Sequence, residues 1–293
     1  NVATNQTLLW SVISIFGLFA GILVVLYIYG QFKEMGDAFT GTGTSLTTND
    51  LEVGRIRETQ RATYKFFVLA IVLFGLQVLA GMLAATDFVR PFGVSLASII
   101  PFSVLRGYHT LFQIYWFFMA WVGYTLLFLP RISRVPNGQL FLINLLFGIS
   151  IVTGVGALVG IYLAHTGMIT GATAYWFGSQ GWEFMELGRA FQYTLLLSFA
   201  LWIFIIFRAV RPWLTVKNIW SVPSWLLYGS GIMVAFLFFG LMISPDQNWA
   251  VADYWRWMVV HMWVEVTFEV FTTVIVGYML VQMGLISRMM CER

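Results

Sequence analysis

His261, Glu265 and Glu269 follow one another at intervals of four inside a long apolar stretch. Residues four apart on a helix share a face. An imidazole nitrogen and a carboxylate oxygen therefore emerge side by side, with a second carboxylate one turn further on. A neutral imidazole beside a carboxylate suits iron. The order is not that of the zinc-protease His-Glu-x-x-His, because here the Glu takes the second ligand position. Two donors do not close a site, so others must come from elsewhere, or the pair is a hydrogen-bonded link between helices. A second histidine, His109, stands in Arg106-Gly107-Tyr108-His109-Thr110, also within apolar sequence. One imidazole facing a helical bundle is either a haem axial ligand or a satisfied polar residue between helices.

The elements that must carry these groups lie in a membrane. The chain has 293 residues, 59% hydrophobic, 18% aromatic and 10% charged, with a mean hydropathy of +0.82. Soluble domains carry about 25% charged residues. A water-soluble globule, a disordered chain, a disulfide scaffold (the one cysteine is Cys291) and a nucleic-acid binder are excluded. Seven apolar stretches, 8–30, 64–86, 101–129, 139–164, 187–207, 221–244 and 254–286, match the roughly 20 residues needed to cross a bilayer core. Hydrocarbon offers no partner to a free backbone group, so all seven are expected to be helices. Each ionisable group within them costs about 2.5–3.5 kcal/mol on insertion scales and needs a reason to be there. His109 lies eight residues in from Pro101, and His261 seven in from Tyr254. At ~1.5 Å per residue both fall roughly 10–12 Å below one face, as a layer of redox cofactors would require.

Orientation follows from the basic residues. Twelve of the 16 Lys and Arg fall in alternate loops and the tail: Lys33, Arg55, Arg57, Arg61, Lys65, Arg131, Arg134, Arg208, Arg211, Lys217, Arg288 and Arg293. The opposite side holds Arg90, with Arg106, Arg189 and Arg256 at helix ends. The N-terminus is therefore expected outside and the tail in the cytoplasm. The first stretch lacks a basic leader and is too long for a signal peptide. Residues 36–49, rich in Gly and Thr, read as a flexible linker. Asn5-Gln6-Thr7 matches a glycosylation acceptor by chance. The sequence starts at Asn1 and stops after the seventh stretch, as a segment of a longer protein would. Glu183, Glu186 and Arg189 cluster at the start of the fifth stretch, either as favourable first-turn charges or around a bound cation or haem propionates. His165, at the end of the fourth, is given no role.

Three long motifs carry a family resemblance. They are Tyr254-Trp255-Arg256-Trp257-Met258-Val259-Val260-His261-Met262-Trp263-Val264-Glu265, Gln180-Gly181-Trp182-Glu183-Phe184-Met185-Glu186-Leu187-Gly188-Arg189, and Arg106 to His109 followed by Trp116. Together with Gln60-Arg61-Ala62-Thr63, they make the chain resemble the quinol-dependent nitric oxide reductases of the haem–copper oxidase superfamily. The resemblance implies an all-α integral membrane fold of seven transmembrane helices. Residues 1–63 would form an extra N-terminal helix and linker, and residues 64–293 the first six helices of a twelve-helix core. It implies that His109 is an axial ligand of low-spin haem b with Arg106 beside it. It further implies that His261 and Glu265 bind a non-haem iron, that Glu269 assists proton supply, and that Glu183 holds a calcium between low-spin and high-spin haems b. The remaining ligands would come from a C-terminal half or another chain, with a homodimer as one assembly open to it. The place would be the cytoplasmic (inner) membrane of a bacterium or archaeon.

One departure bears on the electron donor. The family's quinol pocket has a His and then a Glu where this sequence has Thr86 and Arg90. A threonine cannot take a quinol proton at neutral pH, and a fixed cation replaces an acceptor. The resemblance thus implies joining of two nitric oxide molecules at a haem–iron centre, either as a reductase giving N₂O or as a nitric oxide dismutase giving N₂ and O₂. The altered pocket favours the second. The rival of another class is a cofactor-free, proton-coupled transporter or assembly subunit, with the carboxylates of the seventh stretch as its ion site.

Overall fold

The computed structural model describes residues 56–89, 99–180, 186–244, 246–262, 265, 269–287 and 291, with helical residues scattered between 13 and 27. All regular structure among them is helical: α1 (Glu58–Arg61), α2 (Tyr64–Val89), α3 (Phe102–Ile132), α4 (Gln139–His165), α5 (Gly171–Phe177), α6 (Arg189–Val210), α7 (Val222–Phe239), α8 (Trp249–His261) and α9 (Glu269–Gln282). Among the described residues five helical segments are long and apolar enough to cross a membrane, namely Glu58–Phe88, Phe102–Pro130, Gln139–His165, Arg189–Trp213 and Val222–Met242. They coincide with the second to sixth apolar stretches. About half of the first stretch is described, all of it helical, and its linker lies outside the described residues. The seventh holds two shorter helices, α8 and α9, with π-helical turns at Met262 and Glu265 between them. A π turn inserts one extra residue per turn and is frequent at functional sites.

Local chemistry sets the helix ends. Asn248 caps α8, its side-chain oxygen accepting from the Ala250 N–H at 3.0 Å. This cap starts α8 at Trp249, five residues before Tyr254. His261 is therefore twelve residues into its helix and His109 seven into α3. Gly138, at φ 76°, turns the chain into α4 in a conformation that glycine adopts without strain.

The chain divides into two compact units. The larger, Val53–Val274, is built around the antiparallel α2–α3 pair. Phe88 meets Phe102 edge-on at 5.1 Å, and Phe74 meets Trp116 edge-on at 5.3 Å. Between these contacts Gly81 faces His109, and one further repeat along Gly123 faces Phe66 and Phe67. These positions recur every seven residues on both helices, the spacing of a left-handed helix pair. The opposite side of α2 presents Val68, Ile71, Val72 and Met82, exposed as a lipid-facing surface must be. On the far side of α3, Phe118, Phe199, Trp202, Phe271 and Trp121 form a continuous aromatic core linking α3, α6 and the first turn of α9. Helix α5 lies directly on α4: a Cβ at Gly160 would come within 2.1 Å of the Phe177 carbonyl oxygen.

The smaller unit comprises residues up to Glu52 and Ile275–Arg293. Its helical residues between 13 and 27 expose Phe16, Leu23 and Tyr27. Gly284, at φ 71°, closes α9 as the N–H groups of Gly284 and Leu285 bond back to Val281 and Leu280.

Candidate functional site

One turn of α3 is tied from three sides. Arg106 pairs with the Glu186 carboxylate from the segment before α6. The Tyr108 hydroxyl donates to the Leu158 carbonyl of α4 at 3.0 Å. His109 Nδ1 lies 2.8 Å from the Gln77 carbonyl of α2. A carbonyl only accepts, so Nδ1 carries the proton and the neutral ring keeps its lone pair on Nε2. Nε2 has no hydrogen-bond partner among the described residues. Metal-binding imidazoles are commonly held this way, with the second ring N–H given to a carbonyl. His109 therefore fits an axial haem ligand.

The Arg106–Glu186 pair sits at the same end of the bundle. The Glu186 side chain is 5% exposed and that of Arg106 35%. Gly107 makes room, since a Cβ there would come within 2.6 Å of Glu186 Oε2. Nearby, His165 Nε2 is 3.1 Å from Ser179 Oγ, which ties the end of α4 to the segment after α5. Arg189 is buried and meets no carboxylate among the described residues. Its guanidinium donates to the Tyr175 hydroxyl at 2.9 Å, to Gln192 Oε1 at 3.0 Å, and to the Leu241 and Ile243 carbonyls. It thereby clamps α5, α6 and the chain after α7 together. Sequence reasoning grouped Arg189 with the glutamates; its partners among the described residues are neutral.

His261, Glu265 and Glu269 are exposed on the described structure, not buried. Their orientation is set by what lies behind them. Ala252 and Val259 bury the opposite face of α8, and Phe271 anchors α9 in the aromatic core. His261 and Glu265 make no hydrogen bond to each other among the described residues. His261 closes an open groove lined by Ala250, Asp253, Tyr254, Trp257 and Met258. Among the described residues no three of His, Cys, Asp and Glu come together as a metal-binding group. His261 and Glu265 are thus two donors of suitable chemistry on an uncovered face, an incomplete set.

Glu183 and Arg90 lie outside the described residues. The Thr86 hydroxyl donates to the Leu83 carbonyl at 2.6 Å and is engaged within its own helix. Gln77 and Gly81 are neighbours of His109 that sequence reasoning missed. Gly81 had one signal, the seven-residue spacing it shares with Phe74 and Phe88, and Gln77 had none.

A family model described as Cytochrome C and Quinol oxidase polypeptide I matches residues 61–291. The chain is also 23% identical over 237 residues to a nitric oxide reductase polypeptide of Stutzerimonas stutzeri, covering 80% of this chain and 48% of that protein. It thus spans about half the length of the curated relative that it matches.

Proposed function

We propose that this chain, which belongs to the Cytochrome C and Quinol oxidase polypeptide I family, carries part of a membrane oxidoreductase that joins two molecules of nitric oxide. The observation that carries the reading is His109, with Nδ1 committed to a carbonyl and Nε2 left as a donor. The nitric oxide reductase relative supplies the substrate. The metal groups, when bound, hold the two nitrogens close and supply electrons, which lowers the entropy cost of N–N bonding.

In this reading His109 holds a low-spin haem b through Nε2, and the Arg106–Glu186 pair fixes the helix turn that carries it. His261 and Glu265 offer nitrogen and oxygen donors to a non-haem iron. Glu269, on the same exposed side, takes up and releases protons. The remaining donors, including those for a high-spin haem, come from a further segment or another chain, and Glu183 holds a calcium. The N-terminus faces outside the cytoplasmic membrane. Reduction balances as two NO, two electrons and two protons giving N₂O and water.

Thr86 favours a second reading. Its hydroxyl is engaged in its own helix and offers no base to a quinol. A dismutase, turning two NO into N₂ and O₂, needs no outside electrons. Mass spectrometry of ¹⁵N-labelled NO turnover separates the two. Quinol-dependent N₂O establishes reduction, and N₂ with O₂ in the absence of quinol establishes dismutation. A purified protein with no haem Soret band and no iron by elemental analysis overturns both.

A further inference from the structure

Gly81 has no role in the reading above, yet it sits in the middle of a membrane helix, where glycine costs about 0.5–1 kcal/mol relative to alanine. The cost has a local reason. A Cβ at Gly81 would lie 2.8 Å from His109 Nδ1 and 2.9 Å from Cε1. Helical side chains lean back over the preceding turn, so any side chain at 81 would cover the carbonyl of residue 77. Glycine uncovers it. A carbonyl has two lone pairs, one for the helix ladder and one for a second donor. His109 Nδ1 takes the second. Gln77 also holds a neighbour with its side chain: Oε1 accepts from Trp116 Nε1 at 2.8 Å. His109 and Trp116 are seven residues apart on α3, so a single residue of α2 grips two successive repeats of the seam.

The geometry points to Gly81, through the Gln77 backbone carbonyl that it uncovers, as the positioning residue that holds His109 by its Nδ1–H and so sets the reduction potential of a haem bound at Nε2. This rests on the proposed haem-ligand role of His109. A ring that donates Nδ1–H to a carbonyl has a more basic Nε2. A more basic axial ligand favours the ferric state and lowers the potential. Gly81→Ala pushes the ring off the carbonyl and should raise the low-spin potential, with a shift in the ferric EPR g-values and haem content retained.

Two variants isolate the contact. Gly75 lies on the same helix with open space around it, so Gly75→Ala should leave potential and g-values unchanged. Gln77→Leu removes only the amide that holds Trp116 and keeps the carbonyl. It should alter the indole N–H signal of Trp116 in ultraviolet resonance Raman spectra while the potential stays put. A Gly81→Ala protein with wild-type potential and g-values overturns the inference, as does an equal shift in Gly75→Ala. If Gly81→Ala fails to fold, nitrogen-15 NMR of the reduced wild-type protein, whose low-spin ferrous haem is itself diamagnetic, decides. A strongly hydrogen-bonded Nδ1–H on His109 supports the inference, and a solvent-like one overturns it. A wild-type protein without any low-spin haem signature defeats the proposed function itself, a result distinct from an unshifted Gly81→Ala.

Discussion

At the scale of single residues, the site divides into groups that hold and groups that wait. Arg106, Tyr108 and His109 bond to three different elements, and Nε2 of His109 has no hydrogen-bond partner among the described residues. His109→Ala should therefore remove the low-spin haem signal and leave the rest of the visible spectrum, read on the purified protein. Glu186→Gln keeps the shape but removes the charge facing Arg106. Because Arg106 is about one-third exposed, solvent screens the pair, and the loss should be about 1–2 kcal/mol, less than for a fully buried pair. A fall in the thermal midpoint in detergent reads it. His109 was legible from its type alone, since an imidazole within apolar sequence demands a reason. The Gln77 carbonyl that orients it was not, because every residue has a backbone acceptor and only packing selects one. Glu186 was noted as part of a charge cluster, but its partner stands 80 positions earlier in the chain.

At the scale of elements, apolar length made the second to sixth stretches legible to within a few residues. Backbone saturation inside hydrocarbon leaves helices as the only solution for such runs. In the seventh stretch the described residues form α8 and α9, with π-helical residues at Met262 and Glu265 between them, and the Asn248 cap starts α8 before the apolar run. Close helix contacts were equally hidden, and a pair of substitutions on α4 exposes them. Gly160→Ala would drive a methyl into the backbone of α5, which cannot move aside as a side chain can. It should cost roughly 1–3 kcal/mol. Gly148→Ala, on the same helix with nothing within 4 Å, should be neutral or stabilising by up to about 1 kcal/mol. Thermal melts of both variants compare the two directly.

At the scale of the whole molecule, described contacts cover one side of the α8–α9 region and leave the other bare. Val259 and Phe271 are buried, while His261, Glu265 and Glu269 are exposed. Glu265→Gln and His261→Ala in the intact enzyme should each lower non-haem iron in elemental analysis without removing the low-spin haem. Loss of both metal centres together would instead indicate collapse of the bundle. The seam between α2 and α3 has a different kind of reach. Its parts are short and regular: residues 74–88 on one arm of the hairpin, 102–116 on the other, in seven-residue steps. Such a stretch is a cassette. Grafted into a designed antiparallel helix pair of the same register, it should deliver an imidazole already in one tautomer and aimed outward, before any porphyrin is offered.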